Sequence, residues 1–282
     1  GAPLRVLISQ LRGGMTRGAP IGHSTNLVGL PTDYLAGVAF VEAPRPVHVA
    51  GVREMNGPLF EMLGLAESLE EARRAFADYM RAVFAIDAEQ RDPKAPGPHR
   101  FRSSYVRLVQ GWGWDSNGPE GAVLKGWVES RFGIFPTWHK GPLTRIGTGA
   151  WTTYVEEKMS SRFHNNSILA QLDLLWEFAQ WALPRFVAPG ATHVSLHRGV
   201  NDFAEHRELR AIDRHNAVVR MNGLASFSAD RDTAGCFGDV ILSARVPLQK
   251  ILFCPGLLDV RALAGEGEWL VVGGDYPVEV SR

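Results

Sequence analysis

The sequence predicts an α+β protein in which helices come first and strands follow. Two segments of the first part, residues 68–90 and 167–187, have the periodicity of helices. After Pro189-Gly190 the chain changes to short segments that are rich in β-branched residues and separated by turn residues. We therefore expect a mainly helical region over residues 23–188 and a mainly β region over residues 189–282. Residues 1–22 are expected to be a loose tail or the remnant of an added segment.

The first predicted helix, residues 68–90, opens with a capping box formed by Ser68 and Glu71. Its apolar positions recur on one helical face, at Leu69, Ala72, Phe76, Tyr79, Met80 and Val83. A loop rich in proline and glycine follows at residues 92–100. The second helix is apolar on most sides, which predicts burial, and Pro184 is expected to end it.

Short strands account for most of the β region. Their sequences are ATHVSLHRGV (residues 191–200), AVVRMN (217–222), GDVILSARVP (238–247), EWLVVGG (268–274) and YPVEV (276–280). Turn-forming residues between these segments predict that each is a separate strand.

The bulk composition excludes several classes of protein. Lysine plus arginine and aspartate plus glutamate each total 30, so no net charge attracts nucleic acid or an anionic membrane. Hydrophobic residues make up 45% of the 282 residues, which is enough for a substantial core. Two cysteines are too few for a disulfide framework, and no apolar stretch reaches transmembrane length. We therefore expect a cytoplasmic chain with reduced thiols and no membrane span.

Two glutamates, Glu266 and Glu268, stand directly before an apolar segment. In a regular strand, residues two apart share a face and lie about 6.5 to 7 Å from each other. Leu270 and Val272 continue that face, so the carboxylates are expected at the mouth of a buried surface. Paired carboxylates at a cleft can divide their work, one stabilising a cation and the other handling a proton. A solvated turn remains the alternative.

Arg198 ends a predicted strand on the same face as Val194 and Leu196. A buried arginine is costly unless it meets an anion, and a phosphate or carboxylate would suit its planar guanidinium. A structural ion pair is the alternative. Gly199 follows and would allow a ligand to approach the backbone closely.

Ser226 and Ser228 share one face of a later strand, although two surface serines would give the same pattern. Residues 230–238 then form a polar loop that carries Phe237 near its end.

No pattern in the sequence indicates a protein-bound metal. His193 and His197 lie four apart, but in a strand that spacing separates them by about 13 Å, too far to share one ion. The chain has no Cys-x-x-Cys or His-Glu-x-x-His pattern, no nucleophile elbow, no Walker loop and no Gly-x-Gly-x-x-Gly. A dinucleotide would therefore have to bind without the Rossmann fingerprint.

The three polar signals occur in a characteristic order: Arg198-Gly199, then Ser226-Phe227-Ser228, then Glu266-Gly267-Glu268. This order resembles the Arg–Ser–Glu constellation of mono-ADP-ribosyltransferases, in the Glu-x-Glu form of arginine-modifying members. Long stretches further resemble the dinitrogenase reductase ADP-ribosyltransferase family, from about residue 23 to about residue 276. They are HSTNLVGLPT, VAGVREMN, FRSSYVRL, SNGPEGAVLKGWVESRFG, YVEEKMSSRFHNNS and HRGVNDF.

The resemblance implies a fold and a reaction. Residues 189–282 would form an ADP-ribosyltransferase-type β-sandwich core with an NAD cleft, and the helical region would serve acceptor docking or regulation. NAD+ would be the co-substrate, cleaved between nicotinamide and ribose. ADP-ribose would pass to an arginine of the nitrogenase iron protein, which switches off nitrogen fixation. A PII-type signalling protein would be the regulator.

The resemblance also implies roles for individual residues. Glu268 would stabilise the developing sugar cation and Glu266 would hold and deprotonate the acceptor guanidinium. Arg198 would bind the phosphates of NAD or the adjoining ribose, and Ser226 would brace the catalytic glutamate. Around nicotinamide, Gly199 would contact the amide, Ser228 would line the pocket and Phe237 would stack on the ring. Leu258 and Asp259 would belong to an acceptor-recognition loop over residues 254–265.

Three alternatives stay open from the sequence. An NAD glycohydrolase would use the same site with water as acceptor, although water needs no guanidinium clamp of the Glu-x-Glu kind. A transferase of this type could act on a different protein arginine. A catalytically silent binding module would not need Arg198, Ser226 and Glu268 together.

Overall fold

The fold combines helices and one sheet, in a computed structural model that describes residues 21–86, 104–160, 166–201, 205–258 and 267–281. The helices are α1 (Thr32–Ala36), α2 (Val38–Glu42), α3 (Val52–Met55), α4 (Gly57–Gly64), α5 (Leu69–Phe84), α6 (Tyr105–Trp114), α7 (Pro119–Phe132), α8 (Gly149–Lys158), α9 (Asn166–Ala182) and α10 (Arg231–Gly235). The strands are β1 (His193–Val200), β2 (Arg207–Ala211), β3 (Asn216–Ser228), β4 (Val240–Pro247), β5 (Ile251–Phe253) and β6 (Glu268–Ser281). The predicted α+β class is confirmed.

Helix α5 begins where the capping pattern predicted. The Ser68 hydroxyl accepts from Glu71 N at 3.2 Å, while the Glu71 carboxylate accepts from Glu67 N at 2.9 Å. Most of the predicted apolar face is covered, but Val83 is 51% exposed because it lies in the last turn before Phe84 ends the helix. The remainder of the predicted helix and the loop at residues 92–100 lie outside the described residues.

Helix α9 is buried on nearly every side, as its apolar sequence predicted, yet it also carries buried carboxylates. Glu177 is fully buried and accepts from Val49 N at 2.7 Å and from Arg53 Nε at 2.5 Å. Asp173 accepts from Trp127 Nε1 and Arg131 Nε at 2.8 and 2.7 Å. These partners satisfy the charges and tie α9 to segments distant in sequence. A π-helical turn, Leu183–Val187, follows α9 and includes Pro184.

The sheet is built around two long antiparallel strands, β3 and β6. The strand order is β2-β3-β1-β4-β6-β5, and β3 also pairs with β6, so the pairings β3–β1–β4–β6–β3 form a closed circuit. The predicted division of β6 at residues 274–276 is wrong, since Gly274 with φ of 128° lets the strand continue without a turn. Residues 217–222 and 224–228 likewise form one strand, with a register shift between Met221 and Leu224.

One large hydrophobic cluster packs the early helices against the sheet. Among the residues it joins are Leu35 and Phe76 from the helices and Val219 and Val272 from the strands, all fully buried. Residues 21 and 22, the last two of the expected tail, contact the folded chain: Ile21 O accepts from Phe135 N at 3.0 Å and Gly22 forms a β-bridge with Ile134. Within the described part of the chain, no helix is long and apolar enough to cross a membrane.

Candidate active site

A cleft of about 540 Å³ opens where β1, β3 and β6 meet helix α6. The pairing register explains why these strands converge there: Ser228 lies opposite both His197 and Glu268. The end of β1, the end of β3 and the start of β6 therefore meet at one place. The predicted residues Arg198, Ser226 and Glu268 all line this cleft, which lies in the size range of small-molecule sites.

Ser226 and Glu268 are in direct contact. Ser226 pairs with Leu270, so Glu268 is its diagonal cross-strand neighbour, within reach of its side chain. The Ser226 hydroxyl donates a hydrogen bond to Glu268 Oε1. It also accepts a hydrogen bond from Trp112 Nε1 at 2.8 Å. Ser226 therefore links the carboxylate at the start of β6 to helix α6.

Arg198 is held by three groups of the protein. Its Nη1 donates to Ser226 O at 2.7 Å, its Nη2 to Glu205 Oε2 at 2.9 Å and its Nε to His206 Nε2 at 2.6 Å. A guanidinium has five N–H donors, so these contacts fix its plane while leaving two hydrogens unassigned. The ion-pair alternative is thus realised, although the side chain remains 17% exposed on the cleft.

Glu205 and His206 are site residues that the sequence did not reveal. Burial raises the pKa of the Glu205 carboxyl, but the nearby charge of Arg198 and further neighbours outweigh burial and hold the pKa below its usual value. Burial, reinforced by the positive charge of Arg198, lowers the pKa of His206 to about 3. The neutral imidazole accepts from Arg198, and Glu205 supplies the negative charge.

Gly199 and Gly238 allow two backbone segments to touch. A Cβ on Gly199 would lie 2.0 Å from Ala234 O, and one on Gly238 would lie 2.3 Å from Val200 C. The space where a Gly199 side chain would lie is therefore filled by Ala234 of α10 and by Gly238, and is not open to a ligand. Gly199 does line the cleft, and contact of its backbone with nicotinamide stays a prediction.

Aromatic rings stand at the mouth of the cleft. Phe237 follows α10 and is 63% exposed, and Trp114 at the end of α6 is 88% exposed. Exposed rings beside a polar pocket suit stacking on a planar ligand group. Ser228, by contrast, is buried, and its hydroxyl accepts from Asp230 N at 3.0 Å. The surface alternative for Ser228 is therefore wrong.

The predicted acceptor residues are only partly described. Glu266 and Asp259 lie outside the described residues. Gly267 has φ of +59°, so the chain is not extended there and strand alternation does not relate Glu266 to Glu268. Leu258 is buried in the hydrophobic core, which argues against direct contact of its side chain with an acceptor.

The histidines of β1 have separate partners. His193 Nε2 lies 2.6 Å from Val41 O, and His197 Nδ1 lies 2.8 Å from Ser243 Oγ. Over the residues that the structure describes, no three His, Cys, Asp or Glu side chains are grouped to hold a metal ion. Cys236 and Cys254 are both free thiols.

Comparison with known proteins establishes the family of this chain. Residues 25–280 match the family model for dinitrogenase reductase ADP-ribosyltransferase. The chain is 60% identical over 265 residues to the NAD(+)--dinitrogen-reductase ADP-D-ribosyltransferase of Rhodospirillum rubrum. The aligned residues cover 93% of this chain and 96% of the relative. No solved structure matches. The resemblance noted in the sequence is confirmed, and the chain belongs to the dinitrogenase reductase ADP-ribosyltransferase family.

Proposed function

We propose that this protein transfers ADP-ribose from NAD+ to an arginine of the nitrogenase iron protein and releases nicotinamide. The observation that carries the proposal is the Ser226–Glu268 contact beside Arg198 in one cleft. Family membership supports the identity of both substrates, since the relative from Rhodospirillum rubrum is named for NAD+ and for dinitrogen reductase. Modification of the iron protein would switch off nitrogen fixation.

Glu268 is the proposed catalytic carboxylate. When nicotinamide leaves NAD+, positive charge develops on the ribose, as in glycoside hydrolysis. A carboxylate fixed beside that ribose stabilises charge that the ground-state sugar lacks, so it lowers the barrier instead of merely binding substrate. The hydrogen bond from Ser226 holds Glu268 Oε1 in place before the substrate arrives. Such preorganised electrostatic groups typically contribute about 3 to 4 kcal/mol.

Arg198 is the proposed anchor for the anionic part of NAD+. Its two unassigned N–H groups can serve the phosphates or the adjoining ribose while Glu205 and His206 keep the guanidinium in position. Phe237 is the proposed stacking partner of nicotinamide, and Gly199 and Ser228 border its pocket. The cleft volume and its polar lining fit an extended dinucleotide that projects partly into solvent.

Glu266 is the proposed clamp for the acceptor arginine, by family resemblance. A free guanidinium has a pKa above about 12 and is a poor nucleophile while protonated. A carboxylate can orient it bidentately and take its proton as the new bond to ribose forms. Asp259 would help recognise the acceptor protein from the loop over residues 254–265.

We propose residues 189–282 as the catalytic core, with an ADP-ribosyltransferase-type sandwich around the NAD cleft. Residues 23–188 would dock the acceptor or carry regulation, although α6 already contributes Trp112 to the cleft. Regulation by a PII-type signalling protein and action in the cytoplasm are proposed from the resemblance.

The test is incubation of the protein with NAD+ and reduced iron protein, followed by mass analysis of the acceptor. One added ADP-ribose on one arginine, with stoichiometric nicotinamide, is the expected result. Nicotinamide release without modified iron protein would instead indicate an NAD glycohydrolase or another protein acceptor. Absence of both products and of NAD+ binding by calorimetry would leave a silent binding module.

A further inference from the structure

We infer that Trp112, contributed by the helical region, is a positioning residue that sets the direction of the Ser226 hydroxyl toward Glu268. The inference rests on the proposed function, because it concerns the carboxylate assigned there to the sugar cation. It adds a residue outside the β region to the machinery of the cleft.

The chemistry of the indole decides the direction of the hydrogen bonds. An indole nitrogen only donates, so Trp112 Nε1 at 2.8 Å from Ser226 Oγ makes that oxygen an acceptor. The hydroxyl has one proton, and the donation from Trp112 orients it toward Glu268 Oε1. The chain of hydrogen bonds therefore runs one way, from Trp112 through Ser226 to Glu268.

The indole itself is held rigidly. Trp112 is 3% exposed, and Lys125 Nζ lies 5.7 Å from the centroid of its ring. Helix α6 is anchored at its start, where the Ser104 hydroxyl accepts from Arg107 N at 3.4 Å and Tyr105 N donates to Gln171 Oε1 at 2.9 Å. A buried tryptophan needs a partner for its N–H, and here that partner is the serine of the site.

Helix α6 also lies directly against the carboxylate. A Cβ built on Gly113 would be 3.5 Å from Glu268 Oε2, at ordinary van der Waals distance. The residue after Trp112 thus borders one carboxylate oxygen, while Trp112 acts through Ser226 on the other. Movement of α6 would alter both contacts together.

A double-mutant cycle tests the inference. Trp112→Phe keeps an aromatic ring but removes the N–H. We expect it to lower kcat for nicotinamide release about tenfold, which is the loss that one hydrogen bond accounts for. KM for NAD+ should change less than about twofold. In a Ser226→Ala background the same substitution should lower kcat less than about twofold, because the hydroxyl that Trp112 orients is gone. Equal losses in both backgrounds would overturn the inference.

Trp176→Phe is the matched control. It also removes a buried indole N–H, which donates to Val47 O at 3.1 Å away from the cleft. This control should lose stability without the kcat effect, whereas a kcat loss equal to that of Trp112→Phe would contradict a positioning role. If thermal melting shows that Trp112→Phe is not folded, Trp112→Met replaces it in the same cycle, since methionine adapts to irregular space and has no N–H.

Assays of the wild-type protein separate the proposed function from the positioning role of Trp112. If it neither labels iron protein nor releases nicotinamide, the proposed function fails and the positioning role fails with it. If it does either, the cycle is read on that reaction, and additive losses overturn the role of Trp112 alone.

Discussion

Glu268 and Glu266 are assigned different tasks, and amide substitutions at each residue separate those tasks. Glu268→Gln keeps the shape of the side chain but removes its charge, so we expect transfer and NAD+ hydrolysis both to fall by roughly two to three orders of magnitude. Glu266→Gln should abolish transfer to protein and keep slow hydrolysis, because water needs no guanidinium clamp. Nicotinamide release and labelled-acceptor assays on both variants measure this. Equal residual transfer in the two would refute the division of roles.

Glu205 is expected to act on NAD+ through Arg198. Its carboxylate is 2.9 Å from Arg198 Nη2, and neutral His206 cannot replace its charge. Glu205→Gln should therefore loosen the guanidinium and raise KM for NAD+ about five- to tenfold, with kcat changed less than about threefold. Steady-state kinetics at saturating acceptor measure both constants.

Glu157→Gln provides the control for Glu205→Gln. Glu157 also forms an ion pair, with Lys140, and accepts from His139 Nε2 at 2.6 Å, but it does not line the cleft. Its substitution should leave KM for NAD+ unchanged. A drop in kcat without a rise in KM for Glu205→Gln would place Glu205 in the chemical step and not in NAD+ binding.

The residues of the site were predictable from sequence where they belong to a recognisable order. Arg198, Ser226 and Glu268 are each ambiguous alone, but their order along the chain predicts them as site residues, and all three line the cleft. Trp112 and Glu205 could not be found this way because their roles depend on which side chain lies opposite in space. The only signals were local: a Gly-Trp-Gly-Trp stretch at residues 111–114 and an acid-histidine pair soon after Arg198.

At the scale of elements, the strands illustrate the limits of turn signals. Gly273-Gly274 looked like the end of a strand, but β6 runs on through it to Ser281. Gly273 is needed because β3 lies close against it: a Cβ there would sit 2.0 Å from Asn222 O. Gly274 is needed because α1 does the same, since a Cβ there would sit 2.5 Å from Ala36 O. Glycine in a strand can mark such a close approach as well as a turn, and single-sequence patterns do not distinguish these. Helix α5 is easier to predict from sequence, since its cap and its apolar face depend on residues close together in the chain.

The turn between α6 and α7 depends on Gly121. A Cβ there would lie 2.1 Å from Ser116 O, and Ser116 and Asp115 line the cleft. Gly121→Ala must push this turn away, so we expect a loss of about 1 to 3 kcal/mol in the free energy of unfolding, together with reduced activity. Urea unfolding with linear extrapolation measures the loss.

Gly64→Ala is the corresponding control in another helix. Gly64 is exposed at the end of α4, and a Cβ there would meet nothing within 4 Å. The added methyl should leave stability unchanged or raise it by up to about 1 kcal/mol, because alanine is the better helix former. Equal losses for both variants would mean that the close approach at Gly121 is not what requires glycine.

At the scale of the whole molecule, buried polar groups join the helical region to the sheet. Lys250 is 1% exposed, donates to Gly273 O at 2.8 Å, and lies 5.5 Å from the ring centroid of Phe40 and 5.9 Å from that of Tyr276. Phe40 belongs to α2 and Tyr276 to β6, so one lysine contacts both parts. The sequence contained no sign of this, because a lysine in a turn after a strand ordinarily faces solvent.

The burial of Lys250 gives the stability of the whole protein a distinct pH dependence. Burial lowers the pKa of Lys250 to about 7, against 10.5 ordinarily, with Asp275 opposing the shift. Between these two pH values the unfolded chain therefore binds more protons at Lys250 than the folded protein does. The contribution of Lys250 to the free energy of unfolding consequently rises as pH rises through that window. Between pH 7 and pH 9, wild type should gain about 2 kcal/mol relative to Lys250→Met, which carries no titrating group at this position. Urea unfolding of both proteins at the two pH values measures the difference, and parallel pH profiles would mean that Lys250 does not change its protonation on folding.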